Sequence, residues 1–257
     1  AGGNQTAVGG RAETNAIGGT AIGANSEVSG EGGTALGQNT QVTAADAIAI
    51  GNGRTATQAG AVVIGSGTTT ANTANAVAIG TNAQALGGSA VAIGLGQTAT
   101  GNGAVAIGDP NTATGTGAVA VGANNTANGD GAVALGNVNT ATGNGAVAVG
   151  TNNIANGVGA VALGNGAQAL ADNAVALGFG SVANVANTVS VGFVGGERRI
   201  VHVAAGTVAA GSTDAVNGGQ LFGVQTTANT ALTNAANAQA TANAAQTTAN
   251  TALATAN

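Results

Sequence analysis

The stretch Ala90-Val91-Ala92-Ile93-Gly94-Leu95-Gly96-Gln97-Thr98-Ala99-Thr100-Gly101-Asn102-Gly103 decides the fold. Ala90-Val91-Ala92-Ile93 alternates small and large with a period of two, which is the signature of a strand. Gly94 and Gly96 turn the chain, and Thr98-Ala99-Thr100 alternates polar, small and polar as a second short strand. Gly101-Asn102-Gly103 turns it back. Two strands and two turns in 14 residues make one coil of a parallel β-solenoid.

The unit recurs along most of the chain. Its closing glycines fall at Gly9, Gly23, Gly37, Gly51, Gly65, Gly80, Gly94, Gly108, Gly122, Gly136, Gly150, Gly164, Gly178 and Gly192. Every step is 14 residues except the step of 15 from Gly65 to Gly80, where Gly67 to Asn75 carries one extra residue. At about 4.8 Å between paired strands, such a stack would reach roughly 60–65 Å. The ends deviate. Thr6, Thr20 and Thr34 replace Val near the N-terminus, where Arg11, Glu13, Glu27 and Glu31 also cluster, and Thr188-Val189-Ser190-Val191 is polar at the last copy. Terminal repeats of solenoids meet water and are usually atypical.

The first strand is apolar on both faces, which normally means that both are covered. The pattern is read as Val and Ile pointing towards the second-strand alanines of the same coil (Ala85, Ala99, Ala113, Ala127, Ala141, Ala155). The interleaved Ala90, Ala92, Ala104, Ala106, Ala118, Ala120, Ala132 and Ala134 are then expected to face other copies of the chain, as an oligomer interface. A lone coil buries too little to offset the entropy of ordering its backbone, so self-association is expected.

Composition sets limits. Of 257 residues 47 are Gly, and Val, Ile, Leu and Phe together make up about a fifth of the chain, so the core must be thin and alanine-rich. Only 5% of residues are charged, which removes half of the signature of disorder. Four Arg, no Lys and a net charge of −5, with no aromatic pair to stack bases, argue against a nucleic-acid partner. Zero Cys excludes disulfides and thiolate chemistry. With no run of 18 apolar residues and no basic-then-apolar leader, the chain reads as a soluble piece of something longer.

After Phe193 the repeat stops, and Glu197 to Leu221 holds the sole His and a loop-like Gly211-Ser212-Thr213-Asp214. From Gln225 onward glycine vanishes. Gln225, Leu232, Gln239, Gln246 and Leu253 are seven apart, with Ala228, Ala235, Ala242, Ala249 and Ala256 three further on. That spacing is a coiled-coil seam with left-handed supercoiling, and its Gln positions select register rather than add stability. The chain therefore divides into 1–193, 194–224 and 225–257.

These parts, in this order, resemble the trimeric autotransporter adhesins: a YadA-like head, a neck and the start of a stalk. The family's head motif, similar to Asn-Ser-Val-Ala-Ile-Gly, is matched by Asn75-Ala76-Val77-Ala78-Ile79-Gly80 and Gly88-Ser89-Ala90-Val91-Ala92-Ile93-Gly94. Its neck is similar to Arg199-Ile200-Val201-His202-Val203-Ala204-Ala205-Gly206 followed by Thr213-Asp214-Ala215-Val216-Asn217-Gly218-Gly219-Gln220-Leu221, with a longer spacer from Thr207 to Ser212. The resemblance implies a left-handed parallel β-roll, a handedness against the usual crossover rule. It also implies a homotrimer and a neck that splices head to coiled coil. It further implies a bacterial cell surface, an outer-membrane anchor in a C-terminal domain outside this sequence, and binding of extracellular matrix such as collagen, or of host cells.

No catalytic or cofactor reading survives. His202 is the single His, so no triad or metal pair forms around two, and it reads as a structural neck residue. Asp109, Asp130 and Asp172 lie in separate coils, and without Lys no Walker loop exists. Arg198 and Arg199 are expected in ion pairs across a trimer neck, with Glu197 or Asp214, while Asp214 and Asn217 suit turn and helix-cap chemistry. No cofactor or metal is expected, and the chain is not read as an enzyme. The expected ligand surface is the outer face of the second strands: Thr98, Thr100, Thr112, Thr114, Thr126, Asn128, Thr140, Thr142, Ile154 and Asn156, with Leu86 and Leu170 as rare apolar positions. A repetitive array in three copies suits a repetitive, fibrous ligand. The alternatives are a spacer or autoaggregation module, and an ice-binding ladder, which Gln84/Leu86, Thr126/Asn128, Ile154/Asn156 and Val182/Asn184 interrupt.

Overall fold

The computed structural model describes residues 3–256. They fall into two compact units, one ending at Arg198 and the other beginning at Arg199. The first unit is a parallel β-solenoid of about 13 turns. The first strands of all its coils pair in one 14-stranded sheet. Register is strict, with Val91, Ala92 and Ile93 beside Val105, Ala106 and Ile107, and these in turn beside Val119, Ala120 and Val121. The second strands form two sheets of four and nine strands. The division falls between Thr55–Ala56 and Thr70–Ala71. The extra residue is the cause: the turn Ser66–Thr69 has four residues where Asn52–Arg54 and Thr81–Ala83 have three.

The interior corrects the expected orientation of the first strand. Ala90, Ala92, Ala104, Ala106, Ala118, Ala120, Ala132 and Ala134 are 0% exposed within the single chain, so they are the core of the coil and not an interface. They pack in one cluster with the second-strand alanines Ala99, Ala113, Ala127 and Ala141. Val91, Ile93, Val105, Ile107, Val119 and Val121 are only half-buried and form the outward face of the long sheet. The space between the two strands of a coil admits methyl groups and little more. Larger side chains enter it at only a few positions, Val28 and Val42 on second strands and Val63 on a first strand.

Close stacking explains the closing glycines. Gly108 has φ +123°, and a Cβ there would sit on the carbonyl oxygen of Gly122, as one would on the next coil from Gly9 to Gly164. Only glycine combines that conformation with that approach.

A buried polar column runs beside the alanines. Gln97, Asn111, Asn125, Asn139 and Asn153 are fully or almost fully buried, one per coil. The Asn125 Nδ2 donates to Asn111 Oδ1 at 2.9 Å, Asn139 Nδ2 to Asn125 Oδ1 at 3.0 Å and Asn153 Nδ2 to Asn139 Oδ1 at 3.0 Å. Each Oδ1 also accepts the backbone N–H of the next coil, as Asn125 Oδ1 does from Asn139 at 2.9 Å. Each Nδ2 also donates to a closing-glycine carbonyl, Asn125 to Gly136 at 2.7 Å. Among the described residues no buried side-chain N or O lacks a partner.

At the C-terminal end of the solenoid, Arg198 covers the last coil. Its guanidinium donates to Ser181 Oγ at 2.9 Å and to the carbonyls of Val191 and Phe179. Within the chain these, and not Glu197 or Asp214, are its partners. Glu197 accepts the Gly195 N–H at 2.9 Å, and Asp214 accepts the Thr207 N–H at 2.9 Å.

In the second unit an extended segment leads into the helix Gly218–Thr255. Asn217 caps it in a reciprocal capping box: its Oδ1 accepts the Gln220 N–H, and Gln220 Oε1 accepts the Asn217 N–H, both at 3.1 Å. The same two side chains fasten the extended segment, Asn217 Nδ2 to Val203 O at 3.1 Å and Gln220 Nε2 to Gly206 O at 2.6 Å. The helix begins ahead of the heptad register at Gln225 and buries none of its residues in the single chain.

Two outcomes follow. Asn125→Ala strands buried partners in two neighbouring coils and should cost about 2–3 kcal/mol in chemical unfolding, whereas the exposed Asn102→Ala should stay within about 0.5 kcal/mol. The Asp214 carboxyl is held below the usual range by the Thr207 backbone N–H, assisted by the Thr207 hydroxyl. A depressed folded value contributes stability above the unfolded pKa and loses it as pH falls through the folded one. The Thr207 amide resonance should therefore shift, and its exchange accelerate, only below about pH 4.

Candidate adhesive surface

The solenoid offers two long faces, and the sheet geometry sets the chemistry of each. On the second strands Thr98, Thr112, Thr126, Thr140 and Ile154 stand beside one another in register. Each is half-buried and points away from the alanine core, because the following alanine points in. One residue beyond each strand, Thr100, Asn128, Thr142 and Asn156 are exposed and Thr114 is half-buried. Hydroxyls and amides link neighbouring coils here: Thr142 Oγ1 donates to Asn156 Oδ1 at 2.9 Å, and Thr114 Oγ1 to Asn128 Oδ1. Leu86 is half-buried and Leu170 exposed on the same flank. The result is an array of mostly small polar groups, with Ile154 as its apolar member, repeating at about the inter-strand spacing of 4.8 Å.

The long sheet presents the opposite chemistry. Its outward residues are Val, Ile and Leu in nearly every coil from Ile48 to Leu177, and Leu36, Leu163 and Leu177 are more than 40% exposed. A contiguous apolar strip of this length is a site of association.

The chemistry-bearing residues of the chain stay apart. No group of three or more His, Cys, Asp or Glu gathers among the described residues. His202 is exposed, with a left-handed backbone at φ 61°, and Arg199 is exposed beside it in the extended segment. Leu221 is exposed at the start of the helix. No described helix is long and apolar enough to cross a membrane. The buried Asn column and the orientation of the first strand are what the sequence reading missed. The column had a signal, in that Asn111, Asn125, Asn139 and Asn153 keep the 14-residue period without variation.

Comparisons with known proteins bear on both units of the chain. The YadA head domain repeat matches residues 29–53, 74–96, 99–125, 113–139, 127–153, 155–181 and 169–193, more than half of the chain. The coiled stalk of trimeric autotransporter adhesins matches residues 199–253. Among solved structures, the collagen-binding domain of the Yersinia adhesin YadA is similar at 33% identity, covering 56% of this chain and 79% of that one, with a TM-score of 0.41. Curated proteins give no match. Head repeats followed by a stalk, in that order and in a solenoid-then-helix chain, place the protein in the YadA-like family of trimeric autotransporter adhesins.

Proposed function

We propose that this chain is the head, neck and first part of the stalk of a bacterial surface adhesin, with the head at 1–193, the neck at 194–224 and the stalk from 225. It works as a homotrimer that attaches to host extracellular matrix, collagen-like or otherwise fibrous, or to host cell surfaces. An anchoring segment further along the protein would hold it in the outer membrane. The observation that carries the reading is the register of outward second-strand side chains from Thr98 to Asn156, small and polar at every position but Ile154. Such an array offers a fibrous partner the same contact coil after coil. Three copies turn weak single contacts into avidity.

The apolar strip of the long sheet supports the trimer. It places Val119, Val121 and Ile107 at the surface, where a second and third chain would remove them from water. The helix, which buries none of its residues, supports it too, because an isolated helix rich in Thr and Asn is marginal in water and needs partners along its seam.

Light scattering coupled to sedimentation should give about three times the chain mass of 23.4 kDa. Val119→Asp with Val121→Asp buries carboxylates in the strip and should yield monomers, while Thr112→Asp on the other face should leave the mass unchanged. A monomeric parent chain would remove the trimer from the proposal. In solid-phase binding to immobilised collagen, fibronectin or laminin, and to host cells, the trimer should bind above background. Thr126→Asp with Thr140→Asp should weaken that binding, and the monomeric variant should lose on the order of a hundredfold or more through lost avidity. Binding to none of these surfaces would defeat the adhesive reading.

A further inference from the structure

We propose that the solenoid contains a built-in flexure between Thr55 and Thr70, at which its first four second-strand coils breathe against the rest, with the Arg54 guanidinium as the latch.

The hydrogen-bond ladder of the second strands supplies the first observation. Before the turn of four residues it runs without a gap, Gln41 N–H donating to Arg54 O at 2.7 Å and Thr43 N–H to Ala56 O at 3.0 Å. After it the ladder resumes, Thr70 N–H donating to Ala83 O at 2.9 Å and Asn72 N–H to Ala85 O at 3.2 Å. Between the two, the amides of Thr55 and Thr57 find no backbone acceptor, and this sheet is divided there. The long sheet passes the same point without a break, Val62 to Ile64 pairing with Val77 to Ile79. One side of the coil is therefore continuous and the other is open, which is the geometry of a hinge with a slit.

The turn itself is tied to the coils that follow it. Ser66 Oγ lies 3.0 Å from Thr81 Oγ1, the Thr68 N–H donates to Asn82 Oδ1 at 2.9 Å, and Thr69 Oγ1 donates to Gly80 O at 2.6 Å. On the slit side, the side-chain bonds reaching back across it come from Arg54, whose Nη1 donates to Gly67 O at 2.8 Å and to Thr69 O at 3.4 Å. Its Nε is held by the carbonyl of Asn52 at 3.1 Å. Arg54 occupies the position in its coil that Thr40 and Asn111 occupy in theirs, so the guanidinium stands where those coils bury a smaller polar side chain. The buried second-strand residue changes from Val to Ala one coil earlier, between Val42 and Ala56. The head-repeat matches also end at residue 53 and resume at 74.

Hydrogen exchange at residue resolution on the protein as purified tests the flexure. Thr55 and Thr57 should exchange at least about a hundredfold faster than Gln41, Thr43, Thr70 and Asn72. Arg54→Gln should speed exchange over residues 41–71 by about tenfold and leave the column coils from Thr98 to Ala155 unchanged. Deletion of Thr68 restores the 14-residue step and should bring Thr55 and Thr57 to the protection of Gln41 and Thr43. Parent Thr55 and Thr57 amides as slow as Gln41 and Thr43 would overturn the flexure. Unchanged exchange over 41–71 in Arg54→Gln would overturn the latch. Because the parent protein alone decides the first point, failure of either variant to fold does not remove the test.

Discussion

Each coil of this protein lies with its backbone directly on the backbone of the next, and at the closing turn there is room for a hydrogen atom and nothing larger. That constraint sets the rest. It requires glycine at the end of each first strand from Gly9 to Gly164, in a conformation that other residues avoid. It draws the two strands of a coil so close that the interior is a stack of alanine methyls. Since the interior takes methyls, the Val and Ile of the motif have no place inside and line the outside of the long sheet. A chain built this way keeps its largest apolar groups at its surface, and three-fold association is the natural means of covering them.

A core of methyls is a weak source of cohesion, and polar groups take up part of the work. The Asn column places two amide hydrogens and a carbonyl oxygen of each coil in bonds to neighbouring coils. Bonds of this kind strengthen one another in a low-dielectric interior, and they penalise any coil that shifts. Guanidinium groups appear where the stack itself is irregular or ends: Arg54 at the irregular turn and Arg198 over the last coil. Half of the four cationic side chains of the protein are thus spent on backbone carbonyls at discontinuities of the stack. In the second unit Asn217 and Gln220 do comparable service, joining the helix start to the extended segment before it.

Most of the architecture was legible because a translational repeat writes its period into the sequence. The strands, the turns, the one irregular step and the glycine-free body of the helix could all be located, though not its first turns, which hold Gly218, Gly219 and Gly223. The assignment of inside and outside could not. Alternation of Ala with Val in Ala90–Ile93 defines two faces without saying which is enclosed, and the usual preference for large apolar groups inside points the wrong way when the enclosure is this thin. The Asn column was hidden for a related reason, since polar residues next to turn glycines read as loop. The polar array from Thr98 to Asn156 was readable as a pattern, because each of its members alternates with an alanine that must be buried.

The same regularity raises a question of addressing. Coils from Val91 to Val161 are nearly interchangeable in sequence, so during folding a strand could pair with the coil after next at little local cost. Such a skipped pairing would loop out 14 residues and leave every side chain on its proper face. The polar column marks only the ends of that run. It opens with the longer Gln97, whose Oε1 reaches the amide of Asn111, and closes at Ala167, which has no side-chain donor to offer. Between those ends four asparagines repeat without variation, so a skipped coil sets Asn against Asn and leaves the bonds of the column intact. The column therefore fixes how each strand sits within the stack, and the order of the coils is left to the connectivity of the chain.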